Sequence, residues 1–285
     1  VISIFSFIGI SLGVAVLIIV MSVMNGFRSE LINKIVGFNA HITVEPYEKY
    51  INPDSFNNPQ LNSISENLIS SNTGEAIIIQ KDISKGVVLR GYTKEDFSKL
   101  KIIKDKTFIG DRNNLTKNYI SIGKELSFNH DLEIGDDITI MSSSGIETII
   151  GNLPKQKTFL ISSIFESGMA DFDNNIAFIN LKTLEDFFNL DEKDRKLEIY
   201  LDNPKNIKFQ KKVVQENFPN EFVYTWSDMN SALFSALKVE RNVMFIILSL
   251  IIVVAAFNII SGLTILVKNK TKDIAILKSI GVLNN

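Results

Sequence analysis

The chain has 285 residues, 45% hydrophobic and 22% charged, with a net charge of −2, no cysteine and two histidines. The absence of cysteine excludes disulfides, thiolate metal sites and cysteine nucleophiles, and two histidines are too few for a histidine-based metal cluster. A near-neutral charge without a dense basic patch and interleaved aromatics argues against a general nucleic-acid binder.

These averages hide a segregation. No Asp, Glu, Lys or Arg precedes Arg28, and none lies between Arg241 and Lys268. Each gap exceeds the roughly 20 apolar residues that a helix needs to cross a bilayer core. The layout is a membrane anchor, a large water-exposed domain, a second anchor and a return to the starting side. The first apolar run is longer than a signal-peptide core and lacks an A-x-A-like cleavage site. Phe27, Leu31, Ile32 and Ile35 continue it at helical spacing, with Gly37 as a natural stop, which predicts a helix over 1–36 with a stalk beyond the membrane. Lys268, Lys270, Lys272 and Lys278 oppose only Asp273 after the second run. Positive flanks stay cytoplasmic, so the domain lies outside, in the periplasm of a Gram-negative cell. Starting at Val1 and stopping just beyond Gly281, the chain reads as a fragment trimmed at both ends.

Within the first span Gly9 and Gly13 form a GxxxG pair, which allows close helix packing, although small residues are also simply tolerated in membrane helices. Asn258 lies deep in the second span, where an amide needs a partner helix or a cavity. Between the spans the pattern is mixed α and β. A strand is expected at 41–44, and a helix from Pro59 to Ser70 within an Asn-, Ser- and Pro-rich stretch. Short β-branched strands follow at 76–80 and 86–89, then a strand feeding a short helix over 119–126, and a turn plus strand over 132–140. Further strands are expected at 157–165, 175–179 and 221–225, with helices at 182–188 and 206–217. Ser227 caps a last helix that continues into the second span.

No enzyme site emerges, and no catalytic or metal-ligating set is assigned. Gly123-Lys124 lacks the upstream glycine of a phosphate loop. Asp171-Phe172-Asp173-Asn174-Asn175 lacks the glycine and closing glutamate of a calcium loop and reads as a polar turn. Two segments attract function instead. Residues 142–157, punctuated by Gly145, Gly151 and Pro154 and ending in Lys155 and Lys157, are either a long functional loop or a plain hairpin. After the second span, Ile276, Leu277 and Ile280 form a short apolar stripe closed by Gly281, suited to a partner's groove or to a membrane surface.

Ser22-Val23-Met24-Asn25-Gly26-Phe27, the strand opening at Ala40-His41-Ile42, the run from Ser249 to Ile260 and Asp273-Ile274-Ala275-Ile276-Leu277-Lys278-Ser279-Ile280-Gly281 resemble the LolC/LolE permeases. These are membrane subunits of the lipoprotein-releasing ABC transporter, in the MacB/FtsX superfamily. The resemblance covers essentially the whole chain. It implies four spans per subunit, with two beyond Asn285. It also implies a permease dimer, formed with a second permease or a homodimer copy, and a LolD-like ATPase partner that binds ATP and Mg; this chain would hold no cofactor of its own. The ATPase would dock on a cytosolic coupling helix within 268–285, at Asp273, Ile276, Leu277, Ile280 and Gly281. The substrates would be triacylated lipoproteins, passed to the periplasmic carrier LolA.

A hook that holds LolA in LolC-type subunits looks like Gly151, Asn152, Leu153, Pro154, Lys155, Gln156 and Lys157, followed by Thr158 and Phe159, although a second proline near Thr148 is missing. This departure leaves a LolC-like or a hybrid LolC/LolE type open. The implied fold is membrane helical anchors plus an α+β periplasmic domain with MacB-like porter and Sabre subdomains. The porter-like part takes 37–104 and 181–226, the Sabre-like part 105–180, and the stalk with the second span 227–267.

Lipid acyl chains cost about 0.8 kcal/mol per CH2 to expose, so extraction needs an apolar shelter. Val20, Met24 and Phe27 form one apolar helix face, with Met244 and Ile247 as a counterpart on the second span. They are expected to line a V-shaped cavity for the acyl chains, the alternative being ordinary helix or lipid packing. Two rival functions share parts of this pattern: a MacB- or FtsX-like mechanotransmission permease serving efflux or cell-wall control, and a two-span sensor receptor.

Overall fold

The computed structural model describes residues 2–47, 51, 58–80, 83–104, 108–111, 114–148, 151–204 and 207–281. The expected loop tip at 149–150, residues 52–57 of the polar stretch and the end of the coupling segment at 282–285 lie outside this set. The chain forms two compact units, residues 1–31 with 231–285 and residues 32–230.

The first unit is built on α1 (Ile2–Phe38) as far as Leu31 and on α10 (Ser231–Ser279). Both are long and apolar enough to cross a membrane. At about 1.5 Å per residue the 49-residue α10 extends roughly 73 Å. It runs unbroken past Lys268, so the expected coupling helix is its last turns and not a separate element. Gly37 sits inside α1, which ends one residue later.

In the second unit the elements follow as β1 (Ile42–Glu45), α2 (Pro59–Asn62), β2 (Ser65–Gln80), β3 (Ile83–Tyr92), α3 (Lys94–Lys99), α4 (Lys101–Lys104) and β4 (Phe108–Gly110). Then come β5 (Tyr119–Gly123), α5 (Lys124–His130), β6 (Asp137–Thr148), β7 (Gly151–Phe165), α6 (Ala170–Asn175) and β8 (Ile176–Asn180). The unit closes with α7 (Leu181–Phe188), β9 (Lys196–Leu201), α8 (Ile207–Asn217), β10 (Phe222–Thr225) and α9 (Trp226–Met229).

The helix expected from Pro59 to Ser70 stops at Asn62. From Ser65 the chain is strand, because pairing with β9 outweighs local preference. Ile69 then faces one hydrophobic cluster and Leu68 another. The expected cap at Ser227 is also displaced. Thr225 caps α9, with its side chain and that of Asp228 each accepting the other's backbone N–H, and Asn230 (φ −108°, ψ 31°) separates α9 from α10.

Strand β2 serves two sheets. Its first half borders β9 in an antiparallel order β10-β1-β9-β2. Its second half pairs with β3 on one side and β6 on the other. From β3 the pairing runs through β8, β5 and β7 back to β6, so six strands close a barrel. The barrel interior takes alternate residues of each strand: Ala76 and Ile78, Val87 and Leu89, Ile120 and Ile122, Ile138 and Ile140, Phe159 and Ile161, Ala177 and Ile179. Leu126 of α5 and Leu184, Phe187 and Phe188 of α7 join the same cluster. A Cβ on Gly74 would lie 2.4 Å from the Phe188 ring, so glycine is what lets α7 approach the strand. Of the barrel's elements, β5 to β8 lie within 105–180, while β3, the second half of β2 and α7 lie outside that range.

A second cluster packs α2 and α8 (Leu61, Val214, Phe218) on the four-stranded sheet. A third gathers Phe38, Tyr92, Phe97, Phe165 and Phe178, with Phe38 stacked on Phe172 at 4.6 Å. Beside it the buried Glu198 accepts hydrogen bonds from Ser71 (2.6 Å), Tyr92 (3.1 Å) and Tyr200 (2.9 Å). Burial, then the Glu198 charge, pushes both tyrosine hydroxyls well above their ordinary value. Arg90 donates to Asn39 (2.8 Å) and lies over the Phe38 ring. Phe38 and Asn39, which belong to this unit, are thus held within it by stacking, a cation over a ring and a part-buried hydrogen bond.

Candidate functional site: a projecting hairpin and a helix seam

Of the two readings left open for 142–157, a long loop or a hairpin, the structure shows a hydrogen-bonded hairpin arm. Strand β6 pairs with β7 from Asp137↔Leu160 to Met141↔Gln156, breaks register, and pairs again from Gly145↔Pro154 to Thr148↔Gly151. Its other neighbour, β2, pairs with it only as far as Ser142. Beyond that point the arm is two strands with no third among the described residues. Alternation explains the change: Ile138 and Ile140 point into the barrel, whereas after the buried Ser142 the sequence Ser143-Ser144-Gly145 carries no apolar residue.

Gly151 and Asn152 form the distal ladder, and Leu153, Pro154 and Gln156 are exposed. Lys155 and Lys157 are half-buried. Lys157 lies 5.2 Å from the Phe159 ring centroid, and its ammonium is held below the ordinary lysine value, chiefly by burial. Phe159, included in the resemblance to the hook, is a barrel-core residue 1% exposed. Lys155 Nζ donates to the Asp186 carbonyl (2.9 Å) and to the Asn189 side chain.

In the first unit the less exposed residues of α1 include Gly13, Leu17, Met21, Met24, Arg28 and Leu31, and those of α10 include Leu237, Glu240, Met244, Leu248, Ile251 and Ala255. Both sets follow the spacing of a helix–helix seam. Arg28 closes it, donating to the Leu237 carbonyl (3.0 Å) and pairing with Glu240 (3.2 Å). The expected acyl-chain residues therefore divide. Met24 and Met244 lie in the seam, while Val20, Phe27 and Ile247 face outward.

Around Gly9 and Gly13 an added Cβ would meet nothing within 4 Å, and Asn258 is exposed, so the expected packing partners are not found within the described residues. At the end of α10, Asp273 pairs with Lys270 (3.2 Å), Ile276, Leu277 and Ile280 are exposed, and Gly281 (φ +92°) stops the helix. Among the described residues no group of three His, Asp or Glu is placed to hold a metal ion. His41 is buried, and its Nδ1 accepts from the Leu201 N–H (2.8 Å).

Residues 3–213 match the MacB-like periplasmic core domain family. The lipoprotein-releasing system transmembrane protein LolC of Buchnera aphidicola (Acyrthosiphon pisum) is 30% identical over 100% of this chain and 71% of its own length. The chain belongs to the LolC/LolE family. LolC of Xylella fastidiosa (Temecula1) is 29% identical over 99% of this chain and 69% of that protein. LolE of Haemophilus influenzae is 27% identical over 98% and 69%. The resemblance first noted in the membrane motifs thus extends through the MacB-like domain and both apolar helices of this LolC/LolE protein.

Three features escaped the sequence. Arg28 appeared only as the charge that ends the first apolar run, and nothing in that position pointed to its pairing with Glu240. Lys155 was assigned to a partner surface, although its ammonium is turned toward α7. Glu198 lies on β9, a strand not expected from the sequence, and is the acceptor of a buried cluster.

Proposed function

We propose that this chain is a permease subunit of an ABC transporter that extracts lipoproteins from the inner membrane and passes them to the carrier LolA. The observation that carries this is the match to LolC proteins along 96–100% of the chain, through both long apolar helices and the domain between them. In this proposal α1 and α10 cross the inner membrane and the barrel-bearing unit is periplasmic. The chain hydrolyses no ATP itself. A LolD-like ATPase, binding ATP and Mg, docks at Asp273, Ile276, Leu277, Ile280 and Gly281. A second permease or a second copy of this chain packs at Gly9 and beside Gly13, where an added Cβ would meet nothing, and on Asn258.

Val20, Phe27 and Ile247 offer apolar surface to the acyl chains of a triacylated lipoprotein. Met24 and Met244, flexible and polarizable, allow the seam beside them to repack. The hairpin arm receives LolA: its second ladder reaches beyond the barrel and exposes Leu153 and Pro154. The efflux, cell-wall and sensor readings have less support, since the LolC and LolE relatives matched along this chain are named for lipoprotein release.

Two experiments test this. In pull-downs, LolA is captured by the wild-type chain and lost when residues 143–153 are replaced by a tight turn; equal capture by both forms removes the docking role of the arm. In the assembled complex, a photo-crosslinker at position 27 captures lipoprotein; a crosslinker there that never does so removes the acyl-chain role of that face.

A further inference from the structure

The register break in β6 between Met141 and Gly145 is a hinge point, because the hydrogen-bonded ladder is interrupted and the distal part has only itself to pair with. Opposite the break, on β7, stands Lys155. A cleft of about 530 Å³ separates this stretch from α7, lined by Pro154, Lys155, Gln156, Lys157, Thr183 and Phe187 among others. No apolar packing fills that cleft, so the angle of the arm is not set there by burial. Lys155 crosses it. The Asp186 carbonyl belongs to the last turn of α7, and Asn189 is the left-handed C-cap (φ 56°) of the same helix. Unpaired carbonyls and the negative end of the helix dipole make this a favourable seat for an ammonium.

We propose that Lys155 is a positioning residue, a strut that fixes the pitch of the hairpin arm about the register break by anchoring it to the C-terminus of α7. This rests on the docking role proposed for the arm. In the sequence Lys155 belongs to the partner surface; in the structure its ammonium is spent inside the molecule, and its contribution to docking is to hold Leu153 and Pro154 in one orientation before the partner arrives. Pre-organisation of this kind removes an ordering cost of about 1 kcal/mol from binding, a factor of about five in Kd.

The chain has no cysteine, so two spin labels can be placed cleanly at Glu147→Cys and Lys193→Cys. Distance distributions between them are recorded on the whole chain with Lys155, Lys155→Met and Lys155→Arg, alongside LolA affinity and thermal unfolding. The expected result is a distribution at least about twofold broader for Lys155→Met, restored by Lys155→Arg, with LolA affinity about fivefold weaker and unfolding unchanged. A Lys155→Met distribution that superposes on the wild type overturns the strut. If LolA affinity falls all the same, Lys155 touches the carrier directly. Should the wild type not bind LolA at all, the docking role fails, while the width of the distribution still decides the strut.

Discussion

The two ends of the β6–β7 hairpin are made from the same pair of strands and have opposite characters. Below the register break, Ile138, Ile140, Phe159 and Ile161 fill the barrel and each strand has a second neighbour. Above it, four residue pairs form a ladder that leaves Leu153 half exposed (53%) and Pro154 in solvent. In the proposed function the lower half is the stable base and the upper half the face that meets LolA. A substitution therefore reports on folding or on docking according to which side of Met141 and Gln156 it falls.

The largest expected effect comes from the lower half. Phe159→Ala removes a fully enclosed ring and is expected to cost about 3–5 kcal/mol in denaturant unfolding of the domain. Leu153→Ala, above the break, should stay within about 0.5 kcal/mol. Comparable losses at the two positions would break the distinction. Next is Glu198→Gln, which leaves three buried hydroxyls sharing a poorer acceptor. An unfolding loss of about 2 kcal/mol is expected, with no change in LolA capture.

Acid separates the regions as well. Burial, the largest effect on His41, lowers its affinity for a proton, and its Nδ1 is already occupied as an acceptor. The unfolded chain takes up a proton as pH falls below the ordinary value of 6.5 and the folded chain does not, so stability present above that pH is lost below it. The slope is at most about 1.4 kcal/mol per pH unit, and His41→Gln should flatten it in a pH series of melting curves. The arm contains no histidine, so its conformation should not change over that window. Smallest in stability is Pro154→Ala, expected within about 0.5 kcal/mol but weakening LolA capture as the exposed face of the arm changes.

Much of this was legible from apolar periodicity. The strand–helix passage at 119–126, the turn and strand through Asp136, and the helix ending at Phe188 all announce themselves by alternation or by a 3.6-residue repeat. Segments whose fate depends on distant pairing did not. Ser65 to Ser71 carries no clean alternation and becomes strand only because β9 lies beside it. The barrel was invisible as a closed object, since β2 must be shared between two sheets and strands far apart in sequence must meet. At the candidate site, the arm was located by its Gly and Pro punctuation, but a loop and a hairpin stayed open, because polar strands of Ser, Gly, Asn and Lys resemble a loop. Arg28, Lys155 and Glu198 share one cause of concealment: a charged residue reads as solvated until its partner is placed.

The decisive measurement is ATP-dependent transfer of a triacylated lipoprotein from proteoliposomes to soluble LolA, using the assembled complex that contains this chain, with and without residues 143–153. Shortening the arm is expected to abolish transfer while ATP hydrolysis and thermal unfolding remain at wild-type levels. Transfer that proceeds at the wild-type rate without the arm would contradict it.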